Sequence, residues 1–284
     1  DASEKPRVGI VFLNSLSLPR TATGDSAVYW ADSFAEYGYP SFRIDLPGLG
    51  DSDGYLPVNL LDFINGGGFA AVVSDKVQEI AERFTLSGVV LVGHCAGTIS
   101  ALFAAENCDK CLGMVLMDPY FHLPQAKRPK IRQNLSNWAL RSTLGRISSG
   151  VYDRVRQIYR RVGTNRLPGN ANRALLKCWK NTVSRRMPVL LFKAPARKAR
   201  GSAPRRGEFD YLGYAIKLAG RRSHITLTFV EGTEHSFANR VGRSAVRRHI
   251  ESWLDAYFPQ AARNAQSNGD LNFATAAKIN YISQ

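Results

Sequence analysis

No run of apolar residues in this 284-residue chain approaches the roughly 20 that span a bilayer, so no membrane span is expected. The first residues, DASEKPRV, lack the apolar core of a signal peptide. Cysteine is scarce: four in a chain this long do not make a disulfide framework, which points to a reducing, cytoplasmic setting. Cys108 and Cys111 form a C-x-x-C with no second pair and no spaced histidine, which excludes the usual zinc pattern, and Cys178 stands alone. No metal is expected. There is no P-loop and no dinucleotide-binding G-x-G-x-x-G, so no cofactor is expected either. Acidic residues are the minority, 23 against 38 Lys and Arg, for a formal charge of +15. Such a surface attracts anionic partners, yet no RNA- or DNA-binding motif accompanies it, and nucleic acid is not expected as a partner. The basic residues gather around Lys127–Arg132, Arg154–Arg161 and Arg197–Arg206. They fit a solvated face as well as a docking surface. No internal repeat is present.

What is present is an alternation of strands and helices. Val8–Leu13 is a short β-branched apolar run that reads as a buried strand. Helical periodicity follows over Ser26–Tyr37, then a strand at Ser41–Leu46 closed by the turn PGLGDSDG. A helix over Phe69–Phe84, a strand at Val89–Val92, a buried helix over Thr98–Ala105 and a strand at Leu112–Met117 continue the pattern. Residues 120–186 break it, with amphipathic stretches and no clear strand. Strand character returns at Val189–Phe192, followed by a helix near Phe209–Leu218, a strand at Ile225–Val230 and a last helix over Ala238–Tyr257. This is the signature of an α/β fold with a mainly parallel central sheet and helices on both faces. The expected organisation is a core of residues 1–119 and 187–258, a helical lid insertion at 120–186, and a loosely held tail at 259–284.

The chemistry concentrates in LVGHCAGT, residues 91–98. Gly93 and Gly97 flank Cys95 at two residues on either side, between a strand and a helix. A nucleophile on a sharp strand-to-helix turn needs such small neighbours, because the backbone there is crowded. The helix start also favours a thiolate, since its unpaired N–H groups stabilise negative charge. The Ala96 N–H is one candidate oxyanion donor, and the loop after the first strand, at Asn14, Ser15 and Leu16, is the source of a second.

Three stretches, DLPGLGDSDG (45–54), LVGHCAGTISALFAA (91–105) and VEGTEHSFANRVGRSAVRRHIESWL (230–254), resemble the α/β-hydrolase family, and the likeness runs from Val8 to Tyr257. VVLVGHCAGT with GMVLMDPY is similar to the thioesterases that release chains from polyketide and peptide synthases. The glycine turn and the cysteine elbow are similar to exosortase-associated hydrolases. Cys95 departs from the serine most members carry, although cysteine versions exist. The resemblance implies an α/β-hydrolase fold with a lid after the fourth strand and His235 as base, just past the last strand. The triad acid stays open. The family's usual loop, after Val189–Phe192, offers Glu208 and Asp210; synthase thioesterases often place theirs at the end of the fourth strand, where Asp118 stands. Asp118, before Pro119, could simply end its strand, and Asp210 could cap or open a helix; Asp118 is preferred by a small margin. Asp45 and Asp51 read as turn residues and His94 as a residue that shapes the elbow. His122, near the entrance of the lid, could reach the substrate but reads rather as a surface residue, and His224 and His249 have no special context.

The expected activity is hydrolysis of an acyl ester or thioester through a covalent acyl-enzyme on Cys95. An acyl substrate is the expected partner, and the basic insertion suits one presented on an acidic carrier protein. An acyltransferase or cyclase would use the same residues. A non-catalytic binding protein on the same fold would leave His235 without a carboxylate. Oligomeric state is not legible.

Overall fold

The structure, a computed structural model, describes residues 7–124, 167–195, 209–220 and 224–260. The basic clusters at 127–132, 154–161 and 197–206, most of the expected lid and most of the expected tail lie outside them. The described chain forms six strands: β1 (Val8–Phe12), β2 (Ser41–Arg43), β3 (Gly88–His94), β4 (Cys111–Met117), β5 (Val189–Lys193) and β6 (Ile225–Phe229). All neighbouring pairs are parallel, in the order β2-β1-β3-β4-β5-β6. The helices are α1 (Ser26–Glu36), α2 (Leu60–Asn65), α3 (Ala70–Arg83), α4 (Ala96–Glu106), α5 (Arg173–Ser184), α6 (Tyr211–Ala219) and α7 (Arg240–Tyr257).

Strand alternation divides the core into two layers, as a two-residue side-chain period requires. Val90, Val92, Val115, Met117, Leu190 and Phe192 face α1 and α7, where Trp30, Phe34, Ile250 and Trp253 are buried. Val89, Leu91, Met114, Leu116, Val189 and Leu191 face the other layer, with Val73, Val77, Ile99, Leu102 and Trp179 from α3, α4 and α5. Both faces are covered, which explains why the inner strands read as continuous apolar runs. α4 is apolar all round and nine of its residues, from Ala96 to Ala105, are buried. Its position between two other helices accounts for that composition.

The sequence expectations meet these elements closely, with boundary shifts of one to three residues. Two elements are additional: α2, capped by the Asn59 side chain accepting from the Asp62 N–H, and a 3-10 turn at Thr23–Asp25. α5 falls within the segment expected as lid. Its amphipathic face nevertheless buries Leu175, Leu176, Cys178, Trp179 and Val183 in the layer that also holds α4. The Trp179 indole N–H donates to the Ala215 carbonyl of α6 at 2.7 Å.

After β1 the chain moves to one side of the sheet to form β2, and then crosses to form β3 on the other side. This reversal opens a crevice beyond the carboxyl ends of β1 and β3, where ligands bind in open α/β sheets.

Candidate active site

Cys95 follows β3 at that crevice, with φ 50 and ψ −115, a backbone region that L-residues rarely adopt. Such a conformation costs on the order of 1–3 kcal/mol and persists only where its surroundings enforce it. Here the Cys95 N–H donates to the Met117 carbonyl at 2.9 Å. Its own carbonyl accepts from the Thr98 N–H at 3.1 Å and from the Thr98 hydroxyl. The two flanking glycines are steric necessities: a Cβ on Gly93 would stand 2.4 Å from the Gly97 carbonyl oxygen, and one on Gly97 would stand 2.6 Å from the Asn14 oxygen.

Ala96 is the first residue of α4, so its N–H has no intrahelical acceptor. Asn14 and Ser15 are buried and Leu16 is partly exposed with φ 51, in the loop that Gly97 lets approach the elbow. The Asn14 side chain does not serve the crevice. Its amide donates to the Leu18 carbonyl at 2.9 Å and to Asp45 at 2.8 Å, while its oxygen accepts from the Leu46 N–H at 2.8 Å. Asp45 also accepts from the Arg20 N–H and guanidinium, at 2.7 and 2.5 Å, and from the Asp51 N–H. Burial would raise the Asp45 carboxyl, but these bonds hold it below its usual value. The residue read as a turn former therefore anchors the loop that carries the second candidate oxyanion donor.

Asp118 follows β4 with φ 52, and its N–H donates to the Phe192 carbonyl at 2.8 Å. One carboxylate oxygen takes His235 Nδ1, and the other takes Lys193 Nζ at the end of β5. Burial works against the Asp118 charge, but the His235 bond and the Lys193 ion pair outweigh it and keep the carboxyl below its ordinary value. His235 is pushed up to about 10, first by the bond to Asp118 and then by a side-chain bond to Cys95, with burial opposing both. Cys95, His235 and Asp118 are thus brought together as a connected set. Asp210 is elsewhere engaged: it caps α6, its side chain accepting from the Gly213 N–H at 2.9 Å. Glu208 lies outside the described residues.

His94, the neighbour of the nucleophile, donates from Nε2 to the His235 backbone carbonyl at 2.7 Å, which fixes its tautomer. The two rings lie 4.8 Å apart. Burial, and then the His235 charge, push His94 down to about 4. Tyr120, two residues past Asp118, is pushed up to about 12 by burial and by the nearby Cys95. Lys193 was not anticipated; the one signal for it was its place at the start of the loop expected to supply the acid. His122 bridges to Ala171, and His224 and His249 pack against aromatic rings. Cys108 and Cys111 are buried at a turn where the Cys111 N–H donates to the Cys108 carbonyl at 3.1 Å. Burial pushes the Cys111 thiol up to about 12, the state of an inert structural cysteine. Among the described residues no cluster of His, Cys, Asp and Glu is arranged to hold a metal, and no helix is long and apolar enough to cross a membrane.

A parallel sheet with a strained strand-to-helix elbow and an Asp-bonded histidine defines a class, and the family comparison agrees. The model of the alpha/beta hydrolase fold matches residues 16–227, and the chain belongs to that family. Solved structures share the architecture at low identity. DcsB in complex with its substrate analogue is 16% identical with a TM-score of 0.56, covering 89% of this chain and 92% of that one. An esterase from Pyrococcus furiosus is 11% identical with a TM-score of 0.55, covering 88% and 82%. A monoacylglycerol lipase from Paleococcus ferrophilus is 19% identical with a TM-score of 0.51, covering 89% and 96%. No match was found among curated proteins.

Proposed function

We propose that this protein hydrolyses acyl esters or thioesters through an acyl-enzyme on Cys95. The observation that carries the proposal is the chain Cys95–His235–Asp118, in which Asp118 bonds Nδ1 and leaves the other ring nitrogen to the sulfur. His235 takes the thiol proton of Cys95 as the sulfur attacks. The sulfur attacks the acyl carbonyl, and the oxyanion is stabilised by the N–H of Ala96 and by a backbone N–H of the Asn14–Leu16 loop. The imidazolium then protonates the departing alkoxide or thiolate. Water next attacks the thioester, with His235 as base, and the carboxylic acid leaves. The esterase and lipase among the similar structures support an ester-type substrate. A thioester on an acidic carrier fits the +15 charge of the chain. The carboxylate on His235 speaks against a binding-only role.

Intact-mass spectrometry after brief incubation with a panel of short- and long-chain acyl esters and thioesters tests the reading. A mass gain equal to the acyl group, absent in Cys95→Ala, is the expected result. Its rate of loss in water, compared with its loss to added alcohol or amine acceptors, separates a hydrolase from a transferase or cyclase. No adduct from any donor, with a thiol inert to iodoacetamide at neutral pH, would overturn the proposal.

A further inference from the structure

We propose that Lys193 is a positioning residue for this same reaction: by taking one oxygen of Asp118 it limits how firmly the other holds the proton on His235, which frees His235 to act as base when water attacks the acyl-enzyme. The inference rests on the hydrolytic reading above. Its geometric basis is the forked arrangement of one carboxylate between two cations, with Nζ of Lys193 on Oδ1 and Nδ1 of His235 on Oδ2.

The backbone fixes this fork from both sides. Lys193 is the last residue of β5, and its carbonyl accepts from the Val230 N–H at 3.1 Å. The residue before it, Phe192, accepts from the Asp118 N–H at 2.8 Å. Lys193 is therefore tied to β6 and, one residue away, to the acid itself. The Asp118 side chain is 11% exposed and that of Lys193 37%, so solvent screens the pair only in part. Around His235 stand the Cys95 sulfur and the His94 ring from the β3 side and Asp118 from the β4 side, with Lys193 of β5 on the other oxygen of Asp118, Tyr120 near Cys95 and Glu234 preceding His235 in the chain. Asp118 and the Cys95 sulfur favour the imidazolium; Lys193, through Asp118, opposes it.

That opposition matters in the second half of the cycle. A cysteine triad that holds its histidine fully protonated can acylate but lacks a base for water. His235 is pushed up to about 10 in the free site, with Asp118 the largest cause, so any further gain would keep it protonated for longer. During deacylation an O–H bond of water breaks and its proton passes to Nε2 of His235. A C–O bond forms, the C–S bond breaks, and the sulfur leaves as a thiolate paired with the imidazolium. Lys193 favours the neutral imidazole that starts this step.

The test compares Lys193→Met and Lys193→Arg with the parent, with Lys193→Gln as the second neutral variant if the methionine form does not fold. The His235 ring is titrated by NMR, its signal assigned by its loss in His235→Gln. Acyl adducts are followed by mass across pH. In the neutral variants the His235 midpoint should rise by about one pH unit, from loss of one positive charge a few ångströms away. The pH midpoint for adduct decay should rise with it, slowing deacylation near neutral pH by up to about tenfold while acylation changes less. Lys193→Arg should restore both. An unchanged or lowered midpoint in folded Lys193→Met overturns the inference, since a merely structural lysine would not move it upward. If the parent forms no adduct at all, the hydrolytic reading fails separately, and the NMR midpoint still decides whether Lys193 restrains His235.

Discussion

The two halves of the site are held by different means. On the β3 side, Cys95 is fixed by backbone: its N–H on Met117, its carbonyl on Thr98, and glycines that allow atoms to approach where a Cβ would stand 2.4–2.6 Å from main-chain oxygen. On the β4–β5 side, Asp118 and His235 are fixed largely by side-chain charge, a carboxylate shared between an imidazole and an ammonium. The sheet follows the same division. β3 is buried almost throughout, whereas β6, which leads into the histidine loop, is an edge strand with Phe229 56% exposed. A nucleophile under backbone strain needs a rigid seat; a base that must gain and lose a proton needs tunable neighbours.

The contrast can be broken most severely at Gly93. Gly93→Ala places a methyl against the Gly97 backbone, which no side-chain rotation relieves. It should cost at least about 3 kcal/mol, read as a lowered urea midpoint, and abolish adduct formation. The charge-held half should respond differently. Asp118→Asn should lower the urea midpoint less than Gly93→Ala, since the Lys193 and His235 pairs it removes are partly exposed, yet slow acylation by about 10³–10⁴-fold, because His235 loses the group that orients its ring. Asp45→Asn should be milder than either. It weakens the Arg20 and Asn14 contacts that hold the loop after β1, and a displaced oxyanion donor should reduce acylation about 10–100-fold with little change in stability.

Acid and base should expose the two halves separately through stability. His94 is pushed down to about 4, so between that value and about 6.5 the unfolded chain binds a proton that the folded chain does not. Stability should therefore fall as pH drops through this window, by about 1–3 kcal/mol in urea titrations. His94→Gln should flatten that acid limb. His235 has the opposite sign: its contribution is complete below about 6.5 and is lost as pH rises through about 10. The smallest expected effect is at Asp210. Asp210→Ala removes the α6 cap at a cost of about 1 kcal/mol and leaves acylation unaltered.

The same division explains what was legible in the sequence. The elbow could be read because its constraint is steric and local: glycines at 93 and 97, between an apolar strand and an apolar helix, leave few other conformations. The parallel sheet was legible because both of its faces are buried, so Val89–Val92 and Val189–Phe192 carry no polar alternation. The acid was not. Asp118 and Asp210 each stand just past a strand or just before a helix, and only the register of β4 beside β5 brings one of them to His235 while the other turns to cap its own helix. Lys193 escaped for the same reason, since its partner is 75 residues away in the chain. α5 was masked by an apparent interruption of the strand–helix alternation, although its apolar face packs in the core with α4.

The most direct test of the account is the rate of acyl transfer to Cys95 in Asp118→Asn and Asp210→Ala, measured side by side by intact-mass spectrometry with one reactive thioester. The account predicts a loss of about 10³-fold or more in the first and a rate equal to the parent in the second. Equal rates in the two variants, or the larger loss in Asp210→Ala, would contradict it.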